Sequence, residues 1–283
     1  MKLDKARVLK IIKATLKEDI GIGDVTTTAV VPKTASVRAS IVTNEDCILC
    51  GSDIAEWVIN TVDAGVRFKP QAGDGQRVYE GKEIIFLEGR ARAILTAERT
   101  MLNFLSLLSG IATNVNKYAE KTKKYGVKIY DTRKTFPLLR YLEKYAVTVG
   151  GGSNHRMGLW DQALIKENHL KTAKKESSIR DIKKRLAKKI KIEVEVENLK
   201  EFKSMLGSGI DIIMLDNMPP AAVKEAVGIK NKIYSKNKPE LEVSGGITLD
   251  NIEEYAKTGV DRISIGSLTS SVRSVDMSLE IPG

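Results

Sequence analysis

The sequence predicts an α/β protein: a barrel of six or seven parallel strands wound with helices, preceded by an N-terminal α+β domain. Three observations carry this. The second half of the chain holds six short apolar runs, each finishing in a polar or small residue, at Asp131, Lys166, Glu195, Asp216, Ser244 and Gly266. Those endings lie 35, 29, 21, 28 and 22 residues apart, the length of a strand–helix–strand unit. Functional groups at the carboxyl ends of successive strands are what an α/β barrel presents at its active face, whereas a doubly wound sheet gathers them at one switch point.

Each element has its own signal. Over residues 4–17, Val8, Ile11, Ile12 and Leu16 recur at helical spacing behind an Asp4 cap, and Gly21-Ile22-Gly23-Asp24 ends that helix. From 36 to 90 the pattern shortens to strands at 37–42, 47–50, 66–68 and 84–87, with a helix over 55–62 between them. Residues 96–121 carry Met101, Leu102, Leu105, Leu108, Ile111, Ala112 and Val115 on one face, the longest helical pattern in the chain. It is expected to join the two domains. Helical patterns such as 252–257 fill the gaps between the later strands.

Composition bounds the function. With 283 residues, 42% hydrophobic and 29% charged, the chain can bury a core for one large or two ordinary domains and lacks the polar excess of a disordered segment. The 46 Lys and Arg against 36 Asp and Glu give a net charge of +10, which points to an acidic partner: nucleic acid, a membrane surface or a small polyanion. Cys47 and Cys50 are the whole cysteine complement and cannot staple a secreted fold, so a cytoplasmic setting is expected. Lacking a second Cys or His pair at zinc spacing, the two are read as buried structural residues. No uninterrupted apolar stretch signals a leader peptide or a membrane span. Residues 171–191 hold ten Lys and Arg against Glu176 and Asp181, with Ile179, Ile182 and Leu186 at helical spacing. A solvated helix explains that run better than a nucleic-acid patch, although a non-catalytic nucleic-acid-binding module is the rival from a different class.

Several groups could do chemistry. Asp131-Thr132-Arg133-Lys134 sets two cations beside a carboxylate at a strand end, where an arginine fork suits a carboxylate and a lysine suits phosphate. Gly150-Gly151-Gly152 would let the backbone approach a ligand and leads into His155-Arg156, while His169 reads first as structural. Lys166 would point into the barrel mouth and needs an anion there. Glu193, Glu195 and Glu197 alternate onto one strand face, which is costly unless cations, metal or ligand hydroxyls meet them. Asp216 could hold ribose hydroxyls or a hydrated Mg²⁺. Ser244-Gly245-Gly246 and Gly266-Ser267 expose backbone N–H groups at the last two strand ends, a recurrent phosphate site in barrels. The set asks for two anions and a sugar.

These residues sit in longer strings: Glu18-Asp-Ile-Gly-Ile-Gly-Asp-Val-Thr26, Ala97-Glu-Arg-Thr100, Leu108-Ser-Gly-Ile-Ala-Thr113, Asp131-Thr-Arg-Lys-Thr135, Glu143-Lys-Tyr-Ala146, Asn154-His-Arg156 and Leu164-Ile-Lys-Glu-Asn-His169. Through them the chain resembles the quinolinate phosphoribosyltransferases along essentially its whole length. The resemblance implies an N-terminal sandwich domain over 1–108, completed by 269–283, and an open, TIM-like α/β barrel over 109–268. It implies decarboxylating transfer from 5-phosphoribosyl 1-pyrophosphate to quinolinate, giving nicotinate mononucleotide, CO₂ and pyrophosphate. It also implies homodimers, in some members hexamers, with Arg99 lent across the interface, and no role for nucleic acid or membrane.

Residue by residue, the resemblance puts Arg133, Arg156, His155 and Lys166, with the neighbour's Arg99, on the pyridine dicarboxylate, and Lys134 near the pyrophosphate. Glu195 and Asp216 would meet ribose hydroxyls and Mg²⁺, directly or through water. Ser244, Gly245, Gly246, Gly266 and Ser267 would hold the 5-phosphate, with Thr132 and Ile265 completing the substrate contacts. Lys134, Lys166, Glu195 and Asp216 would be catalytic. The resemblance implies Mg²⁺ and no organic cofactor. Thr135-Phe136-Pro137-Leu138 departs from the family's common string, and the Phe there is shared with relatives linked to molybdenum transport, the alternative within the same fold.

Overall fold

Asp4 caps the first helix, Lys5–Ile20, by accepting from the backbone N–H groups of Ala6 and Arg7. Gly21 ends the helix at φ +56°. The helix runs three residues past the expected 4–17, and Val8, Ile12 and Leu16 are the side chains it buries. The computed structural model describes residues 1–172, 179–234 and 239–282. They form two units: Met1–Asn116 with Phe136–Gly151 and Ser271–Gly283, and Lys117–Thr135 with Gly152–Ser270. The division falls within the long helix Ala91–Thr122.

The first unit contains β1 (Ser36–Thr43), β2 (Cys47–Ile48), β3 (Arg67–Pro70), β4 (Arg77–Val78) and β5 (Glu83–Arg90). A four-stranded antiparallel sheet runs in the order C-terminal strand Met277–Glu280, β1, β5, β3. The tail thus supplies an edge strand: Ser40 faces Glu280 and Thr43 faces Met277. A short helix at Val25–Val30, capped by Asp24, is an element that the sequence pattern does not announce. Cys47 and Cys50 are free and buried, and burial pushes both thiols up, as expected of packing residues. The glycine run has a different task from the one expected. Gly150 ends the helix Arg140–Val149, and a Cβ there would meet the Ala112 carbonyl at 2.4 Å, so it serves close packing of two helices.

The second unit contains β6 (Lys128–Tyr130), β7 (Gln162–Ile165), β8 (Lys191–Val196), β9 (Ile212–Asp216), β10 (Glu240–Ser244) and β11 (Arg262–Ser264). All six pair in parallel in the order β6-β11-β10-β9-β8-β7, leaving β6 and β7 as the two free ends of an open barrel sheet. Among the described residues the barrel sheet therefore has six strands, the lower of the two expected values. Apolar pleats of β8 to β11, among them Val194, Ile213, Val243 and Ile263, are fully buried. Helices at Leu199–Met205, Pro220–Ile233 and Ile252–Ala256 cross between strands. Register sets the chemistry: Ser244 lies opposite both Asp216 and Ser264, and Ser264 opposite Tyr130, so four strands end level.

Of the basic run 171–191, the described residues are helical up to Thr172 and over Ile179–Arg185, and the run then leaves the helix and enters β8 at Lys191; the part of the expected helix at 173–178 lies outside the described residues. Among the described residues, no helix is long and apolar enough to cross a membrane.

Candidate active site

At the carboxyl ends of the six strands the second unit opens a cavity of about 840 Å³, within the usual range for small-molecule sites. Its wall includes Thr132, Arg133, Lys134, His155, Arg156, Lys166, Glu195, Asp216, Ser244, Gly245, Gly246, Ile265, Gly266 and Ser267. Every expected site residue except Arg99 is there. Arg99 is an exposed side chain on the long helix, in the first unit.

Three features build the wall. The segment after β6 carries the cations: Thr132 Oγ1 accepts from the Lys134 amide at 3.1 Å, and Thr269 Oγ1 donates to the Lys134 carbonyl at 2.6 Å. The segment before β7 carries His155 and Arg156, and it is tied to the end of β6 by the His155 amide, which donates to buried Asp131 at 2.8 Å. Asp131 is thus an anchor, not a ligand group. The glycines line the opposite side. At Gly245, φ is +93° and a Cβ would fall 2.1 Å from Asn217 Oδ1, so only glycine fits there.

The charges divide by depth. At the rim, Lys166 Nζ donates to Glu195 at 2.5 Å, with the lysine side chain 47% exposed. Lys166 does line the mouth, half-exposed and not buried, and the anion it needs there is a carboxylate of the protein. Burial, then the nearby Glu195 charge, pushes the Asp216 carboxyl up. Burial, then repulsion from Arg133, pulls the Arg156 guanidinium down. The wall therefore holds like charges close together on both signs: Arg133 near Arg156, and Glu195 near Asp216. That arrangement is stabilised by a ligand of opposite charge.

Deeper, His155 Nε2 lies 3.0 Å from Glu193 and 3.5 Å from Glu242, both carboxylates fully buried. Burial opposes a charged ring, but the two carboxylates outweigh it and push His155 up to about 9. Against this, His155 Nδ1 accepts the Arg156 amide at 2.8 Å, which a doubly protonated ring cannot do. In the observed conformation the ring therefore carries one proton, on Nε2, and charging it requires that contact to break. Glu242 is pushed up by its burial. Arg262, opposite it in register, faces Glu242 at 3.7 Å and stacks on Tyr130 at 4.4 Å.

His155, Glu193 and Glu242 could offer metal-ligand atoms within 4.8 Å of one another. Arg262 and the Gln162 amide, which donates to Glu193 at 2.5 Å, already bring positive charge and hydrogens to that cluster. At the rim, Glu195, which also faces Lys166, and Asp216 are oxygen donors of the kind a divalent cation takes. The expected three-carboxylate face is really one buried group and one rim group: Glu197 lies beyond β8, exposed, its amide bonded to Glu201 at 3.0 Å. His169 caps locally, its Nδ1 accepting the Lys166 amide at 3.0 Å.

The residues that sequence reasoning missed are those below the surface: Gln162, Glu242 and Arg262. Their signal was a charged residue inside an apolar strand, as in Leu241-Glu-Val-Ser244. Asn217, another wall residue, adopts φ +53°, which nothing in its sequence context announced.

An open parallel α/β barrel whose mouth combines clustered cations, paired carboxylates and glycine-rich strand ends defines a class of protein that binds phosphorylated sugars and small organic anions. The comparisons narrow that class. Residues 24–109 match the model for the quinolinate phosphoribosyl transferase N-terminal domain and residues 111–280 that for its C-terminal domain. The chain belongs to the quinolinate phosphoribosyl transferase family. It is 46% identical over 281 residues to a probable nicotinate-nucleotide pyrophosphorylase [carboxylating] of Methanocaldococcus jannaschii, with 98% of each chain covered. It is 40% identical over 273 residues to the nicotinate-nucleotide pyrophosphorylase [carboxylating] of Mycobacterium leprae, with 95% of each covered. Among solved structures, the nicotinate-nucleotide pyrophosphorylase of Francisella tularensis superposes with a TM-score of 0.92 at 40% identity, covering 99% of this chain and 98% of that one.

Proposed function

We propose that this chain transfers the 5-phosphoribosyl group of 5-phosphoribosyl 1-pyrophosphate to quinolinate, with loss of CO₂, to make nicotinate mononucleotide for de novo NAD synthesis. The observation that carries the reading is a single cavity in which Arg133, Lys134, Arg156 and Lys166 face Glu195, Asp216 and two glycine-rich strand ends. Two polyanions that repel each other must meet there, and a cluster of cations around one mouth both assembles and aligns them.

In this reading Arg133 and Arg156 grip the two carboxylates of the pyridine, supported by His155 and Lys166. Glu195 and Asp216 orient the ribose hydroxyls. The pyridine nitrogen forms a bond to C1 of the ribose as the bond to pyrophosphate breaks, through a transition state with oxocarbenium character. Lys134 neutralises the leaving pyrophosphate. The ring nitrogen is now cationic, so its charge stabilises the carbanion left on the adjacent ring carbon when that carbon's carboxylate departs as CO₂, and a proton then takes the place of the carboxylate. The substrate is its own electron sink, which is why no organic cofactor is proposed. Mg²⁺ travelling with the pyrophosphate substrate would be held by Glu195 and Asp216, directly or through water, and would offset negative charge there. The Glu195 charge that raises the Asp216 carboxyl is one such an ion would offset.

The resemblance and the exposed position of Arg99 support a homodimer in which Arg99 of one copy serves the cavity of the other. The free, buried cysteines support a cytoplasmic setting. The deciding experiment incubates purified protein with quinolinate, 5-phosphoribosyl 1-pyrophosphate and Mg²⁺. Equal amounts of CO₂ and nicotinate mononucleotide are expected; turnover of a different aromatic acid but not quinolinate rejects the assignment. For the shared site, mixing inactive Arg99→Ala with inactive Lys166→Ala chains should restore part of the activity.

A further inference from the structure

One buried carboxylate is not used by the reaction above. Glu193 is fully buried in the middle of β8, beneath the cavity floor. Its Oε2 accepts from Gln162 Nε2 at 2.5 Å and lies 3.0 Å from His155 Nε2. Both neighbours lead to the same place. His155 Nδ1 accepts the backbone N–H of Arg156 at 2.8 Å, and the Gln162 carbonyl accepts from Arg156 Nη1 at 3.2 Å. Arg156 is therefore held at its backbone and at its guanidinium by two arms that meet on a single carboxylate.

Resting on the reaction proposed above, we propose that Glu193 is a positioning residue that aims Arg156 at the dicarboxylate substrate. The physical case has three parts. A buried carboxylate costs several kcal/mol unless its environment compensates it, so Glu193, fully buried in β8, is a group whose partners matter. A fork such as guanidinium binds a carboxylate well only at the right angle, and an arginine side chain loses much rotamer freedom when it is fixed. Finally, the His155 ring can accept from Arg156 only if its single proton stays on Nε2, and the Glu193 carboxylate, 3.0 Å from that nitrogen, favours a proton there. Glu242 lies farther from the ring, at 3.5 Å, and faces Arg262 on its other side, so it balances the cluster without reaching Arg156.

The test uses the full-length protein and quinolinate itself, read by calorimetric titration and steady-state kinetics. Glu193→Leu removes both contacts; it should weaken quinolinate binding and raise its KM about tenfold, the scale of one lost buried hydrogen bond. The KM for 5-phosphoribosyl 1-pyrophosphate should stay within about twofold. Glu193→Gln, which keeps an acceptor oxygen, should recover part of the loss. In an Arg156→Ala background, Glu193→Leu should have a clearly smaller effect on quinolinate than in wild type, the remainder passing through His155, because a residue that acts through another is not additive with it. Equal loss for both substrates, or full additivity with Arg156→Ala, overturns the proposal. Should Glu193→Leu fail to fold, Gln162→Leu cuts one arm and is judged by the same two criteria. Asp261→Asn, a destabilising change away from the cavity, shows what lost stability alone does to KM. Failure of wild-type protein to turn over quinolinate would strike the proposed function; normal turnover with an unaltered quinolinate KM in the variants would strike only the role of Glu193.

Discussion

The two ends of the same parallel sheet treat charge in opposite ways. At the amino ends of the strands, carboxylates are closed off by the chain. Asp211 accepts the Ile192 amide at 2.8 Å. Asp261 accepts the Leu241 amide at 2.7 Å and Lys230 Nζ at 2.6 Å, with Lys230 almost fully buried. At the carboxyl ends, Lys166 pairs with Glu195 at the exposed rim, while Arg156 feels the like charge of Arg133 and Asp216 that of Glu195. One end uses its ions to hold strands and helices together; the other keeps like charges close and exposes backbone beside them. A barrel separates stability from chemistry in this way because strand ends on one face can vary without disturbing the pairing that starts on the other.

That contrast can be broken by substitution. The largest expected effect is at the closed end: Asp261→Asn leaves the Lys230 cation buried without its counter-charge and should cost about 3 kcal/mol. Urea denaturation checks this, and kcat/KM of the folded protein should not change; a loss of activity at full folding would erase the contrast. Next, Arg156→Ala at the open end should lower kcat/KM for quinolinate by roughly 10²-fold or more while leaving the denaturation midpoint nearly in place. Full activity at limiting quinolinate would remove Arg156 from the substrate site.

Smaller effects sharpen the picture. Gly245→Ala forces a side chain into φ +93° against Asn217 and should cost about 1–3 kcal/mol, with a raised KM for 5-phosphoribosyl 1-pyrophosphate. The smallest concerns Asp216. Because its carboxyl is pushed up in the folded state by burial and by Glu195, the folded chain holds that proton to higher pH than the unfolded chain. Its contribution to stability therefore falls as pH rises from the unfolded value through the folded one and stays low above that. Asp216→Asn should raise Tm slightly at pH 7, with little change at a pH below the unfolded value, while activity is lost. A fall in Tm at pH 7 would show that the carboxylate is held by partners, not strained by neighbours.

Much of the site was legible as local pattern. The strand endings Lys166, Glu195, Asp216 and Ser244 could be placed because a β-strand bounded by turn residues reveals where it stops, and the parallel repeat reveals which end faces the ligand. The cations after β6 and before β7 followed from chemistry that packing does not explain. Pattern misled where a residue type had two uses. Gly150 reads as a ligand loop but serves the approach of two helices, and the alternation of Glu193, Glu195 and Glu197 gives a common face without saying how deep each residue lies.

The sequence by itself determined the strand order of events along the chain, the parallel architecture and the identity of the charged groups at the barrel mouth, because these depend on periodicity and on residue type over a few neighbours. Only the tertiary structure decided which charges are satisfied and which remain poised. Register brings Glu242 against Arg262, and the segment before β7 folds His155 over Glu193. Such pairings join residues 20 to 90 positions apart, as in His155 with Glu242, so they are set by how the sheet closes and by no local preference.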